Sequence, residues 1–155
     1  MHERWMKLAF EEALKAKREG EVPVGAVVVH NSQLIGRGHN LVETTSDPTA
    51  HAEIVALKDA ISRRKSWRMN GSTLYVTLEP CPMCMGALHL ARLNKLVFGA
   101  HDPRFGACGS YINLQNMQSM TTPFEVISGI LADASSALLK EFFGDLRKRS
   151  DELGP

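Results

Sequence analysis

The sequence has few cysteines, little net charge and no long apolar run. The first and the last of these shortages each exclude a class of protein, whereas the low net charge gives no indication of a nucleic-acid partner. Three cysteines among 155 residues are too few for the disulfide framework of a small secreted domain. A formal net charge of +1 is not the strongly basic balance of many nucleic-acid-binding domains. No apolar run approaches the roughly 18 residues of a membrane span, and the N-terminus lacks a signal-peptide layout. We therefore expect a cytoplasmic protein without a membrane segment.

The length predicts a single domain over residues 1–155. Apolar residues recur at helical spacing over residues 3–19, after residue 51, after residue 82, and from about residue 132 to residue 149. In the last of these helices, Ala134, Leu138, Phe142 and Leu146 are expected to share one face, and residues 150–155 are expected to fray. The predicted strands cover residues 22–29, 34–38, 73–78, 95–100 and 124–127, and the first two form an antiparallel hairpin. A short helix or loop separates the last two strands. This order predicts a central sheet covered by helices on both sides.

Three zinc-type ligands occur in two short motifs. His51-Ala52-Glu53 opens one predicted helix, and Pro80-Cys81-Pro82-Met83-Cys84 opens another. Two helix N-termini are thus expected to converge on one metal ion, where their positive dipole ends favour thiolate over thiol. A structural zinc site fills all four positions with protein ligands, whereas a catalytic site leaves one for water. The motifs predict a catalytic zinc centre, with Glu53 beside it to carry protons.

Two other kinds of site share part of this pattern. A structural zinc site would need a fourth ligand from elsewhere in the chain. The candidates, none at a standard ligand spacing, are Cys108, His39, His89 and His101. A thioredoxin-like pair would use Cys81 and Cys84 without requiring His51 or Glu53. The length of the combined motif favours the catalytic centre, and Cys108 is then a small buried thiol.

Longer segments around the motifs carry a resemblance to a known family. They are Glu21-Val22-Pro23-Val24-Gly25-Ala26-Val27, Gly38-His39-Asn40, Asp47-Pro48-Thr49-Ala50-His51-Ala52-Glu53, Leu78-Glu79-Pro80-Cys81, Phe98-Gly99-Ala100, Gly106 with Gly109-Ser110, and Gly129-Ile130-Leu131-Ala132 with Phe142-Phe143. The metal motif resembles the signature of zinc-dependent base deaminases. Taken together, the segments resemble the bacterial tRNA-specific adenosine deaminases, within the cytidine and deoxycytidylate deaminase superfamily.

The resemblance implies an α/β fold, a three-layer α/β/α sandwich with a central mixed five-stranded sheet of the cytidine deaminase type. It implies hydrolysis of adenosine to inosine at the wobble position of a tRNA anticodon. One Zn²⁺ per subunit, a homodimer and an anticodon stem-loop, that of arginine tRNA in bacteria, are the expected cofactor and partners. Glu53 would take a proton from the activated water, pass it to the ring nitrogen and then protonate the leaving amine.

The remaining site residues follow from the resemblance, position by position. Asn40 would hydrogen-bond the base, and Asp102 would contact the sugar-phosphate beside the target nucleotide. Either could also act in a turn, where Asn and Asp are common. The residues expected to line the pocket are Val24, Ala52 and Glu79. Phe143 and Arg147 would approach the anticodon loop by stacking and phosphate contact, although Gly144-Asp145-Leu146 interrupts the basic segment that is usual there.

Two competing functions use part of the same pattern. A free-base deaminase, acting on guanine or cytosine, shares the metal motif and the stretch from Asp47 to Glu53. Guanine deaminases of this fold lack the segment after Gly129 with its Phe-Phe pair, and this difference favours the tRNA enzyme. A non-catalytic, zinc-stabilised RNA-binding module would explain the metal ligands and the basic clusters near residues 63–68 and 147–149. It would not explain Glu53 on the same helix as His51.

Overall fold

A computed structural model of the protein describes residues 1–117 and 124–153. The elements in chain order are α1 His2–Arg18, β1 Gly25–His30, β2 Gln33–His39, α2 Val42–Thr45, α3 Ala52–Arg64, β3 Ser72–Leu78, α4 Pro82–Leu90, β4 Lys95–Ala100, β5 Glu125–Ile127 and α5 Ala132–Leu153. Within the described ranges, no helix is both long and apolar enough to cross a lipid bilayer.

Among the described residues, the sheet has five strands in the order β2-β1-β3-β4-β5. β1 is antiparallel to both β2 and β3, whereas β3, β4 and β5 run parallel to one another. This arrangement brings the amino end of β1 and the carboxyl ends of β2, β3 and β4 to one edge. The predicted mixed five-stranded sheet is confirmed, and this edge is where an α/β sheet usually builds its ligand crevice.

Helices cover both faces of the sheet, so the three-layer sandwich is also confirmed. On one face, Ala56 of α3 and Met85 of α4 pack with alternate strand residues such as Val28 and Val76. On the other face, Trp5 and Met6 of α1 pack against the intervening strand residues, including Val27 and Val97. The alternation places successive side chains of each strand in opposite layers. Each of these strands therefore contributes side chains to the hydrophobic clusters on both faces of the sheet.

The first strand begins later than predicted. It starts at Gly25, whereas the apolar run begins at Val22, because Pro23 has no backbone N–H for a sheet and the Val24 N–H donates to the Val22 carbonyl at 2.8 Å. The hairpin itself turns at Asn31 and Ser32. Both residues have positive φ, 49° and 58°, as a two-residue turn between twisted strands requires.

The last helix differs from the prediction in its length and in its buried face. It continues to Leu153, so residues 150–153, expected to fray, are helical, and residues 154–155 lie outside the described ranges. Of the predicted apolar face, Leu138 is buried, but Ala134 and Leu146 are exposed. Ser135 and Leu138 are buried because the first half of α5 packs on the sheet.

Candidate active site

The two metal motifs meet at the N-termini of two helices. His51 is the N-cap of α3 and Cys81 is the N-cap of α4, whereas Cys84 lies in the first turn of α4. The His51 Nδ1 atom is 3.5 Å from the Sγ atom of Cys81 and 3.6 Å from that of Cys84. All three ligand atoms lie within 4.8 Å of one another. The structure thus brings together the three ligands predicted from sequence.

This triangle has the dimensions of a zinc site. A tetrahedral ion with Zn–N near 2.05 Å and Zn–S near 2.3 Å separates its nitrogen and sulfur ligands by about 3.6 Å. The separations of His51 from Cys81 and from Cys84 agree with that value. Two sulfurs and one imidazole also match the donor preference of zinc. The residues present therefore fit this metal.

The two thiols differ in acidity. Hydrogen bonds from the Cys84 thiol and then from His51 lower the pKa of Cys81 to about 4, although burial opposes the shift. The pKa of Cys84 is raised, first by its hydrogen bond to Cys81 and then by burial. The shared hydrogen bond thus favours ionisation of Cys81 over ionisation of Cys84. A divalent cation in the triangle favours ionisation of both sulfurs, since its charge takes the place of the shared proton.

Glu53 lies in the first turn of α3, facing the same triangle. Its side chain is 4% exposed, and it lines a cavity together with His51 and Cys81. Burial is the main cause that raises the pKa of Glu53 to about 7. A carboxyl group with such a pKa can both accept and release a proton near neutral pH.

The cavity, called the pocket below, has a volume of about 200 Å³. Its walls combine apolar side chains with a few polar ones. The lining residues that complete it are Val22, Val24, Asn40, Ala52, Leu78, Glu79, Asp102 and Phe105. The volume is below the roughly 300–1,000 Å³ of sites for drug-sized ligands. It suits a single heterocyclic base better than a whole nucleotide.

Asn40 lines the pocket and also closes a turn. Its Oδ1 atom accepts a hydrogen bond from the Val42 N–H at 3.2 Å, and its own N–H donates to the Val24 carbonyl at 3.1 Å. The side-chain carbonyl therefore faces α2, and the amide NH₂ is the group that can donate to a ligand. Both roles considered for Asn40 are thus compatible with one conformation.

Asp102 likewise lines the pocket while it caps a turn. Its Oδ1 atom accepts hydrogen bonds from the N–H groups of Arg104, at 3.1 Å, and Phe105, at 3.4 Å. The carboxylate is thereby held at the pocket mouth by its own loop. The turn role considered for Asp102 is present in the structure, and the residue also lines the pocket.

Glu79, predicted to line the pocket, is committed to the loop that follows β4. Its carboxylate accepts hydrogen bonds from the N–H groups of Asp102 at 3.0 Å, Cys108 at 2.8 Å and Ser110 at 3.2 Å, and from the Ser110 hydroxyl. Burial alone would raise the pKa of Glu79, but these bonds outweigh it and lower the pKa. We call residues 102–112 the anchored loop. Glu79 is the buried charge that fixes it.

Glu21 has a structural role that the sequence did not reveal. It is 1% exposed and accepts hydrogen bonds from the N–H groups of Glu43, at 3.1 Å, and Thr44, at 2.6 Å, and from the Thr44 hydroxyl, at 2.6 Å. These bonds hold α2, the short helix that follows Asn40. The signal available in the sequence for a buried Glu21 was its position directly before the apolar run Val22–Val24.

Phe143 and Arg147 both lie on α5, and Phe143 is the one that borders the pocket. Phe143 lines a neighbouring cavity of about 280 Å³, which shares Val22, Leu78 and Asp102 with the pocket. Arg147 is exposed one helical turn further along. The structure thus brings Phe143 to the border of the pocket and leaves Arg147 on the surface beyond it.

Known proteins share this sequence and fold. The MafB19-like deaminase family model matches residues 1–147. A tRNA-specific adenosine deaminase of Bacillus subtilis is 48% identical over 147 residues, which cover 95% of this chain and 91% of that protein. A solved structure from studies of A-to-I editing by tRNA:A34 deaminases at the wobble position is 38% identical, with a TM-score of 0.84, covering 88% of this chain and 99% of that one.

A second branch of the fold is more distant. A structure of the guanine deaminase from Nitrosomonas europaea is 27% identical, with a TM-score of 0.75, covering 90% of this chain and 83% of that one. The tRNA-specific enzymes match with higher identity and with a higher TM-score. The chain therefore belongs to the MafB19-like deaminases and, among them, to the tRNA-specific adenosine deaminase family.

Proposed function

We propose that the protein hydrolyses the wobble adenosine of a tRNA anticodon to inosine and releases ammonia. The observation that carries the proposal is the position of Glu53, a buried carboxyl group that shares one base-sized pocket with His51 and Cys81. Relatives that match nearly the whole chain are tRNA-specific adenosine deaminases. Such a pocket suits a base swung out of a single-stranded loop, where unstacking costs less than in a duplex.

His51, Cys81 and Cys84 would hold one Zn²⁺ per subunit. Bound with three protein ligands, zinc activates water by lowering its pKa towards 7. The helix dipoles of α3 and α4 favour the ionised ligands, because both helices begin at this point. A fourth protein ligand is not needed for this role.

Glu53 is the proton carrier of the reaction. It takes a proton from the attacking water, delivers it to the ring nitrogen next to C6, and then transfers the second proton to the departing amine. A pKa near 7 suits both halves of this cycle, because the group must accept a proton and release it at the same pH. Water and adenosine are consumed, and inosine and ammonia are formed.

The other pocket residues orient the nucleotide. Val24 and Ala52 form apolar walls against the base, and the Asn40 amide donates a hydrogen bond to it. Asp102 contacts the sugar-phosphate at the mouth, where its loop holds the carboxylate. Phe143 and Arg147 on α5 meet the anticodon loop, the first by stacking and the second by phosphate contact. Glu79 acts on substrate through the anchored loop.

The proposal also includes the oligomeric state, the compartment and the tRNA substrate. A single domain over residues 1–155 acts in the cytoplasm as a homodimer, with the anticodon stem-loop of arginine tRNA as its substrate. Sedimentation velocity of the purified protein tests the dimer. A monomer that retains full activity would contradict it.

The deciding experiment offers purified protein an anticodon stem-loop with adenosine at the wobble position and measures inosine by mass spectrometry. A matched stem-loop with adenosine at a neighbouring loop position serves as the control. We expect inosine only at the wobble position. Conversion of free guanine or cytosine with an unmodified stem-loop would establish the free-base deaminase instead. Zinc-dependent RNA binding without any deamination would establish the non-catalytic module.

A further inference from the structure

Two exposed aromatic side chains lie beside the pocket on the anchored loop. Phe105 is 53% exposed and Tyr111 is 63% exposed. Their ring centroids are 6.2 Å apart, and the ring planes are inclined by 40°. Phe105 also lines the pocket that contains Glu53. We call this pair the aromatic shelf, and it begins where the pocket opens to solvent.

Exposed aromatic rings are uncommon in this chain. It contains six Phe, two Tyr and two Trp, all within the described ranges, and only Trp67, Phe105 and Tyr111 are exposed. Trp67 lies under the guanidinium group of Arg68, 4.5 Å from the ring centroid. The aromatic shelf thus holds two of the three exposed rings. Apolar surface gathered beside a ligand site is typical of a binding surface.

The backbone under the aromatic shelf is held rigidly. The N–H groups of Cys108 and Ser110 donate to the buried Glu79 carboxylate, and the Phe105 N–H donates to Asp102. The Tyr111 N–H donates to the Gly106 carbonyl at 2.9 Å. Gly106 cannot carry a side chain, because a Cβ atom there would lie 2.6 Å from the Asp102 carbonyl oxygen. The rings are therefore presented by a loop whose backbone is already held by hydrogen bonds, so binding needs little further ordering of the backbone.

We propose that the aromatic shelf stacks against the nucleobase next to the edited adenosine. This inference rests on the proposed function. A base that swings into the pocket leaves its neighbour in the RNA without a stacking partner. A flat ring at the pocket mouth replaces that partner, and Phe105 is the ring that lines both pocket and surface. Tyr111 extends the platform away from the pocket.

The test combines binding and kinetics on anticodon stem-loops. Stem-loops carrying 2-aminopurine next to the target adenosine are bound to the Glu53→Gln variant, so that the RNA is not turned over. Stacking quenches 2-aminopurine fluorescence, and we expect the quench to be lost when Phe105→Ala is added. In the active protein, Phe105→Ala should lower kcat/KM by about 5- to 150-fold, mainly through KM, the range for one base–aromatic stack.

Matched variants separate stacking from mere packing. Phe105→Trp should restore KM, whereas Phe105→Leu, apolar but not flat, should not. On a stem-loop that is abasic at the neighbouring position, Phe105→Ala should have no further effect. Trp67→Ala, which removes an exposed ring elsewhere, is the control and should leave KM unchanged.

Several results would contradict the proposal that the aromatic shelf stacks on the neighbouring base. An unchanged quench and KM in the Phe105→Ala/Tyr111→Ala double variant would do so, and so would rescue by Phe105→Leu equal to that by Phe105→Trp. Dissociation of a dimer by the same substitutions would make the pair an interface between copies. Protein that binds and quenches the probe but forms no inosine would refute the proposed function and leave the shelf supported.

Discussion

Glu53 and Glu79 are both buried carboxyl groups that line one pocket, yet their surroundings give them opposite properties. Glu53 is 4% exposed, and burial raises its pKa to about 7. Glu79 is 2% exposed, but three backbone N–H groups and a hydroxyl donate to it, and its pKa is lowered. Burial alone therefore does not decide the protonation of a carboxyl group. The number of donors aimed at its oxygens does.

One pocket accommodates two acids because the hydrogen-bond donors around them differ in number. A group that must exchange protons needs few fixed donors, because hydrogen bonds to the ionised form would hold it ionised. A group that fixes a loop needs many donors, since each charge-assisted bond stabilises the fold. Glu53 belongs to the first kind and Glu79 to the second. Removal of the metal and substitution of Glu53, Glu79 and Ser110 each test this division.

Removal of the metal should abolish the chemistry at Glu53 and leave the loop held by Glu79 unchanged. Treatment with a strong zinc chelator should abolish deamination, and added Zn²⁺ should restore it, because water activation is lost and regained. Hydrogen exchange of the Cys108 and Ser110 amides should be unchanged, since their bonds to Glu79 do not involve the metal ligands. Full activity after complete chelation would remove zinc from the mechanism. Faster exchange at both amides would show that the anchored loop depends on the metal.

Glu53→Gln should lower the rate of inosine formation by about 10²–10⁴-fold, the usual contribution of a general acid–base group. The amide keeps the shape of the side chain but cannot carry the proton. Zinc content by atomic absorption and stem-loop affinity by filter binding should match those of the unmodified protein. Activity close to that of the unmodified protein would show that Glu53 only orients a ligand.

Glu79→Gln should act first on stability and only indirectly on catalysis. We expect a loss of about 2 kcal/mol in the free energy of unfolding by urea at pH 7, because the charge-assisted bonds to the anchored loop weaken. The pKa of Glu79 is lowered in the fold, so its stabilising effect is complete above the ordinary value of 4.5 and is lost as the pH falls through the lowered pKa.

The difference between the unmodified protein and Glu79→Gln should therefore shrink in acidic solution, as the pH falls below 4.5 and through the lowered pKa of Glu79. Glu11→Gln, at an exposed carboxyl group on α1, is the matched control and should change the free energy of unfolding little at either pH. A constant difference from neutral to acidic pH would show that the charge of Glu79 is not what holds the loop.

Ser110→Ala should give the smallest effect. It removes one of the four hydrogen bonds that the described part of the chain donates to Glu79 and leaves the three from backbone N–H groups. We expect a loss of about 1 kcal/mol in the free energy of unfolding. Ser150→Ala, on the exposed part of α5, serves as control. A loss as large as that of Glu79→Gln would mean that the hydroxyl dominates the anchor.

The metal ligands could be predicted because each motif is short and begins a helix. His51 and Cys81 cap α3 and α4 as the apolar periodicity after them indicates. The sheet was also predictable, since its β-branched runs are separated by clear turns. Local patterns of this kind need no knowledge of the tertiary structure.

Contacts between residues that are distant in the chain could not be predicted from the sequence. The partners of Glu21 and Glu79 are backbone N–H groups up to 23 and 31 residues away, and any residue except proline supplies such a group. The exposure of the Phe105 ring could not be predicted either, because a loop has no regular apolar period that indicates which side chains face solvent. The predicted buried face of α5 was wrong in part, because only the first half of the helix, with Ser135 and Leu138, packs on the sheet.

The hairpin turn at Asn31 and Ser32 offers a place to tether the protein. Both residues are exposed, and they lie at the end of β1 opposite Gly25, which follows Val24 in the pocket wall. Six strand residues separate the two ends by about 20 Å. A fluorophore, an immobilising tag or an inserted partner domain attached at this turn would leave the approach of a large RNA unobstructed.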